Sequence, residues 1–313
     1  MTVLDWLLDS APAIRWQVLR DLTDAPADAV AAERARVAAE GWGARLLALR
    51  DPDGQWAGGA CFPASGWDGE GGQPWTPTLP TLALLREFGL DPASEPARET
   101  VALVRENCRW EYDGAPFFAG EVEACINGRV VALGAYFGED VEAVVQRLLA
   151  DQLDDGGWNC WTEHGSTRSS FDSTINVIEG LLAHEQAGHG TRQTTAARRR
   201  GEEYLLERSL FRRKNTGGPA QDGYLQLSFP PQWHHDVLRG LEHFRVAGGS
   251  PDERLAEAVA VVRGKQQPDG RWLLEDTYAG AVHFPLEDGD GRPSRWNTLR
   301  ALRVLRWYDG QVG

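Results

Sequence analysis

Two aspartates, paired histidines and one cysteine stand where side-chain chemistry could start. Asp172 ends the stretch SSFD and Asp236 ends WHHD, each just ahead of an apolar run at helical spacing. A carboxylate in that place is an effective N-cap, held ionised by the helix dipole and the unsatisfied N–H groups of the first turn. Burial beside aromatic rings acts the other way and could keep the carboxyl protonated, as a proton donor must be. His235 adjoins Asp236, a pairing that serves either as a satisfied cap or as an acid–base unit. Asp172, Asp236 and His235 are therefore the catalytic candidates. Cys160 and His164, in CWTEH, would share a face if helical, but the Gly and aromatic residues around them point to a loop, where spacing alone decides little.

The elements that must position these residues announce themselves as a repeat. DPDGQW (51 to 56), DDGGW (154 to 158) and QPDGRW (267 to 272) share Asp-Gly, one residue, then Trp, and YDGAPFF (112 to 118) is a degenerate copy with Phe for Trp. A second mark, an aromatic or small residue opening an apolar run, falls at Trp16, Trp75, Cys125, Phe171, Trp233 and Trp296. Steps of about 46 to 63 residues between these marks leave room for two helices and a loop. The runs they open are apolar nearly all round, as in helices covered on most sides. Between them lie charged runs with a single apolar stripe (27 to 50, 94 to 107, 139 to 153, 194 to 211, 251 to 266), as in helices with one face in water. Pro77 suits a first helical turn, whereas Pro80 should kink its helix or push the start later. Strand signals are scarce. The expectation is an all-α protein, an α/α toroid of the α6/α6 type in which inner and outer helices alternate, formed by residues 1 to 313 as a single domain.

Composition narrows the function. A net charge of −14 over 313 residues argues against a nucleic-acid binder, which needs clustered Lys and Arg. The basic clusters at 198 to 200 and 212 to 214 are local and read as solvated faces. No apolar run is long enough to span a bilayer and no leader precedes the first helix, so the expected location is cytoplasmic. Four cysteines, Cys61, Cys108, Cys125 and Cys160, show no C-x-x-C pairing, so they read as buried thiols or members of a site rather than a disulfide frame or a zinc finger.

The turns written QLDDGGW (152 to 158) and QQPDGRW (266 to 272) resemble the QW repeats of the superfamily that contains squalene–hopene cyclases and protein prenyltransferase β-subunits, over roughly Arg15 to Trp307. APAIRWQVLRDL, CINGR, WNCW and WHHDVLRGL also resemble bacterial squalene cyclase-like proteins. The resemblance implies an α/α barrel around an apolar cavity, an isoprenoid ligand and, in the cyclases, an Asp-x-Asp-Asp acid that launches a carbocation stabilised by aromatic faces. This chain has no Asp-x-Asp-Asp; Asp172 and Asp236 stand at the corresponding helix starts. The prenyltransferase branch implies zinc as the alternative to no cofactor at all. There Glu123 and Cys125 match its Asp-x-Cys and Asp172 takes the place of its His, so Glu123, Cys125 and Asp172 form the candidate metal set.

Trp16, Trp75, Phe171, Trp233 and Trp296 would converge at one end of a closed ring, either as a plugged core or as a ligand pocket completed by polar groups such as His234 and Asn297. These seven are the candidate substrate-binding residues. The Gly-rich loop 61 to 74 could cover them. The leading expectation is a terpenoid cyclase-like protein that binds a small apolar molecule, an isoprenoid, and cyclises or isomerises it by acid catalysis. The alternatives are a non-catalytic lipid or isoprenoid binder, a zinc-dependent prenyltransferase-like enzyme, and a glycan-active barrel using Glu121, Glu163 and Asp172.

Overall fold

The computed structural model describes residues 2 to 312, with the side chains of 311 and 312 left aside. It is all-α. In chain order the helices are α1 (Val3–Leu8), α2 (Pro12–Leu22), α3 (Ala27–Ala35), α4 (Gly41–Ala48), α5 (Thr78–Phe88), α6 (Glu95–Asn107), α7 (Ala124–Phe137), α8 (Glu142–Ala150), α9 (Phe171–His184), α10 (Arg192–Leu206), α11 (Val237–Ala247), α12 (Ala256–Gly264) and α13 (Arg295–Val312). Two short strands, β1 (Trp272–Leu273) and β2 (Pro293–Ser294), pair antiparallel, Trp272 opposite Ser294. Among the described residues no helix is long and apolar enough to cross a membrane.

The chain divides into two compact units. The first takes the residues up to Val122 together with Arg129–Val144 and Tyr278–Leu286; the second takes Glu123–Gly128, Val145–Thr277 and the residues from Glu287 onward. Within each, buried and striped helices alternate as the sequence pattern requires. In the first, α5 buries Leu79, Pro80, Thr81, Leu82 and Leu85, while α6 buries only the stripe Ala97, Thr100, Val101 and Val104. In the second, α11 buries every residue from Val237 to Phe244, whereas α12 buries only Ala258, Val259 and Val262. Helix α5 begins at Thr78, behind Pro77 as its N-cap, so Pro80 falls in the first turn, where its missing N–H costs nothing. The charged run from 27 to 50 is broken into α3 and α4, with Gly41 at the break in the left-handed region (φ 65°).

The three Asp-Gly-x-Trp turns fold into one repeated hydrogen-bonded unit. The indole N–H of each Trp donates to a carbonyl ten residues earlier in the preceding outer helix: Trp56 to Leu46 (2.8 Å), Trp158 to Leu148 (2.7 Å) and Trp272 to Val262 (2.7 Å). The backbone N–H of the same Trp donates to the hydroxyl of a fully buried threonine in the next inner helix, Thr78 (3.3 Å), Thr174 (3.1 Å) and Thr298 (3.0 Å). The glycine after Asp supplies the left-handed conformation the turn needs, with φ of 93°, 97° and 83° at Gly54, Gly156 and Gly270. Inside the second unit α7 and α9 touch backbone to backbone. A Cβ on Gly180 would lie 2.3 Å from the Gly128 carbonyl oxygen.

The turn makes a stability prediction. Trp158→Phe leaves the buried Leu148 carbonyl without its donor, at about 1–3 kcal/mol. Urea denaturation should show that loss as a lower midpoint, while Trp161→Phe, at a ring 67% exposed, should leave the midpoint unmoved. Equal effects from both would remove the clamp from the account.

Candidate functional site

Both candidate aspartates, Asp172 and Asp236, lie in the second unit, at the starts of neighbouring inner helices. Asp236 is the N-cap of α11, its Oδ1 accepting the Arg239 N–H at 2.7 Å. It is completely buried, and burial pushes its carboxyl pKa up, against the lowering influence of Arg300 and Arg239. Its Oδ2 has no hydrogen-bond partner among the described residues. Asp172 is the second residue of α9, whose cap is instead Ser170, accepting from the Ser173 N–H. The Asp172 carboxylate accepts the Tyr224 hydroxyl at 2.9 Å and the backbone N–H of His235 at 2.7 Å. Residue 235 thus ties one carboxylate to the other: its amide binds Asp172 and its carboxyl side continues into Asp236.

The His235 ring is buried, with Nε2 2.6 Å from the Leu210 carbonyl, so Nε2 carries the proton and Nδ1 is the bare nitrogen. Phe171 packs against this ring at 5.4 Å, against Tyr224 at 5.0 Å and against Tyr204 at 5.7 Å, giving the Asp172 neighbourhood an aromatic wall. Behind it Arg239 is buried and bridges Glu179 (2.6 Å), the Asn176 side-chain oxygen (2.9 Å) and the His234 carbonyl (2.7 Å).

The aromatic candidates occupy unequal positions along their helices. Phe171 and Trp296 stand in the first turns of α9 and α13, Trp16 is mid-way through α2, and Trp75 and Trp233 precede α5 and α11. In the first unit Trp16 is buried, donates to the Phe88 carbonyl (2.8 Å) and carries the Arg20 guanidinium over its ring at 4.5 Å. Trp75 is also buried, its indole N–H donating to the Ala279 carbonyl (3.0 Å). In the second unit Trp296 is buried and stacked on Phe229 at 4.3 Å. Asn297 donates to the Leu227 and Leu273 carbonyls at 3.0 and 3.1 Å. Trp233 and His234 are half-buried and stack on each other at 3.6 Å.

Of the proposed metal set, Glu123 and Cys125 meet at the start of α7, the Cys125 thiol 3.5 Å from Glu123 Oε2. Asp172 is not their partner. The third member is Cys160: a carboxylate oxygen of Glu123 and the two sulfurs lie within 4.8 Å of one another. Cys160 Sγ accepts the Cys125 backbone N–H and the Ser173 hydroxyl, each at 3.2 Å. The Cys125 side chain donates toward Cys160, which lowers the Cys160 pKa and raises that of Cys125, further raised by burial. His164 and Glu163 are exposed on a 3-10 turn and stand apart from the three-donor group, while Glu121 is half-buried in the first unit. The spacing of CWTEH pairs Cys160 with His164; the chain reversal after Trp158 instead brings Cys160 to Cys125.

No family model and no curated protein matches the chain. Among solved structures it is similar to a protein from Actinoplanes, at 17% identity over 94% of this chain and 89% of that one, with a TM-score of 0.44. It is also similar to two variants of the type II terpene cyclase MstE from Scytonema. One is ligand-free, at 18% identity over 94% and 85% of the two chains with a TM-score of 0.45. The other is in complex with geranylgeranyl dihydroxybenzoate, at 16% identity over 94% and 86% with a TM-score of 0.41.

His235 gives the site a pH signature. Burial pushes its pKa down to about 4, helped by Arg239 and opposed by the Leu210 carbonyl, Asp172 and Glu179. An unfolded histidine titrates near 6.5, so its stabilising contribution is fully present above that pH and is lost as pH falls toward the folded value, by about 3 kcal/mol at most. Chemical denaturation of the wild type and His235→Gln at pH 7 and pH 4.5 should show the gap between them narrowing in acid. A gap independent of pH would sink the assignment.

Proposed function

We propose that the protein is a terpenoid cyclase-like acid catalyst that binds an apolar isoprenoid in its second unit, with Asp236 as the proton donor. The observation that carries the reading is the pairing of two carboxylates in different surroundings at adjacent inner-helix starts. An enzyme that protonates an alkene at neutral pH needs one carboxyl kept neutral and a second group to take positive charge or a proton. Burial raises the Asp236 pKa, which favours the acid form, and its Oδ2 is the oxygen without a partner. Asp172 is half-buried and accepts hydrogen bonds from the Tyr224 hydroxyl and the His235 backbone N–H.

Protonation of a carbon–carbon double bond by Asp236 would leave a tertiary cation and an Asp236 carboxylate. Loss of a neighbouring proton from that cation, to Asp172 or back to Asp236, completes an isomerisation with no net change in protons. In this reading the faces of Phe171 and Trp233 would stabilise the cation, at roughly 0.5 to 2 kcal/mol per ring. His234 lies on Trp233 and orients it, and the His235 amide holds Asp172 in place.

The reading is tested with squalene, farnesol and geranylgeraniol as probes in deuterated water, products followed by mass spectrometry and binding by tryptophan fluorescence. Asn caps a helix as well as Asp does, so Asp236→Asn should fold and bind. It should lose turnover and deuterium incorporation by about 10² to 10⁴ fold. Unchanged turnover in Asp236→Asn would defeat the acid assignment. Probe binding without turnover by the wild type would instead make the chain a non-catalytic isoprenoid binder.

A further inference from the structure

We infer that Glu123, Cys125 and Cys160 form a binding site for one soft divalent cation of the zinc type, with an open fourth position. The group shares no donor with the Asp172–Asp236 pair, and the inference does not depend on that reading. Three observations support it: the donor chemistry, the spacing and the hydrogen bonds around one sulfur.

Two thiolates and one carboxylate suit a borderline-soft cation and discriminate against magnesium and calcium, which prefer all-oxygen ligands. A tetrahedral ion with bonds of about 2.3 Å to sulfur and about 2.1 Å to oxygen sets a sulfur–oxygen edge of roughly 3.6 Å and a sulfur–sulfur edge of roughly 3.8 Å. The Cys125 Sγ to Glu123 Oε2 distance is 3.5 Å, and all three donor atoms lie within 4.8 Å of one another. The spread of the three donors is thus within about an ångström of the tetrahedral edges.

The surroundings of Cys160 resemble the outer shell of a metal thiolate. Its sulfur accepts a backbone N–H from the first turn of α7 and a hydroxyl from Ser173 in the first turn of α9. Such bonds fix a ligand's orientation and lower the cost of concentrating negative charge there. Ser170 in turn donates to the Ser173 hydroxyl at 3.0 Å. Asp172, by contrast, spends its oxygens on Tyr224 and His235. Glu123 is exposed and Cys160 half-exposed, while Cys125 is buried, so the open side of the site faces outward. Binding the cation releases one proton from each thiol and leaves one position for water or a substrate sulfur or oxygen.

The test is metal content of the native protein, purified under reducing conditions, by plasma mass spectrometry. The wild type should carry about one equivalent of zinc per chain, and Cys160→Ser and Cys125→Ser should fall to background. Asp172→Asn should retain the full equivalent, which separates this site from the Glu123, Cys125 and Asp172 set. Because a cysteine variant could fail to fold, cobalt(II) is added in parallel to stripped wild-type protein, where a sulfur-to-cobalt charge-transfer band in the near ultraviolet is expected. Full metal retention in folded Cys160→Ser overturns the inference. So does reduced wild type that carries no metal and gives no such band with cobalt, and so does loss of metal in Asp172→Asn alone.

Discussion

The structure depends on one indole hydrogen bond made three times. At Trp56, Trp158 and Trp272 the ring N–H closes on a carbonyl at the end of an outer helix while the backbone N–H of the same residue holds a threonine of the next inner helix. These carbonyls lie in the last turns of their helices, where intrahelical donors run out: Leu46 and Val262 are otherwise met only by the N–H of their C-cap residues, Leu49 and Lys265, and burying such a carbonyl unsatisfied would cost on the order of 1–3 kcal/mol. Each Trp therefore satisfies one helix end, positions the next helix and fills the gap between them with a ring that has no exposed surface. An outer helix, a turn and an inner helix become a single mechanical unit.

What the clamp positions is polar. In the second unit the inner helix α11 is buried over eight successive residues, yet three of them carry charge or an imidazole: Arg239 meets Glu179, Glu242 meets Arg303 and Arg245, and His243 meets Glu202. Removing one member of such a pair strands the other in a medium where an unpaired charge costs several kcal/mol. The network therefore fixes the register of α11 against α9, α10 and α13 more strictly than apolar packing would. The start of α11, where Asp236 sits, inherits that precision, and through the His235 amide so does the Asp172 carboxylate.

Much of this was legible in the chain. The Asp-Gly-x-Trp turns could be read because a left-handed glycine and a buried indole are local requirements, and the inner and outer helices because burial imposes a period of 3.6 residues. The break at Gly41 was not visible in a run whose charges continue unbroken through it. The aromatic marks predict equivalent helix starts, but Trp16 lies within α2 and Trp75 and Trp233 lie before their helices. Aromatic identity alone does not fix a residue's distance from the first hydrogen-bonded turn. The sequence pairs Cys160 with His164, and nothing local in it encodes that the turn after Trp158 carries the thiol to Cys125, thirty-five residues away.

The first unit is completed by a segment that the chain supplies late. Tyr278–Leu286 belongs to it although the sequence on both sides belongs to the second. The backbone N–H of Trp75 donates to the Ala281 carbonyl at 2.8 Å, and a Cβ at Gly280 would sit 1.8 Å from the Gln73 carbonyl oxygen, so the segment is fitted closely to the residues ahead of α5. During synthesis, then, Trp75 leaves the ribosome with that edge uncovered, and about two hundred further residues follow before Ala281 can meet it. The first unit cannot be complete, with this segment in place, before most of the second has been synthesised. The contact that covers Trp75 is a long-range one, and until the segment arrives the indole and the backbone N–H of Trp75 lack their acceptors.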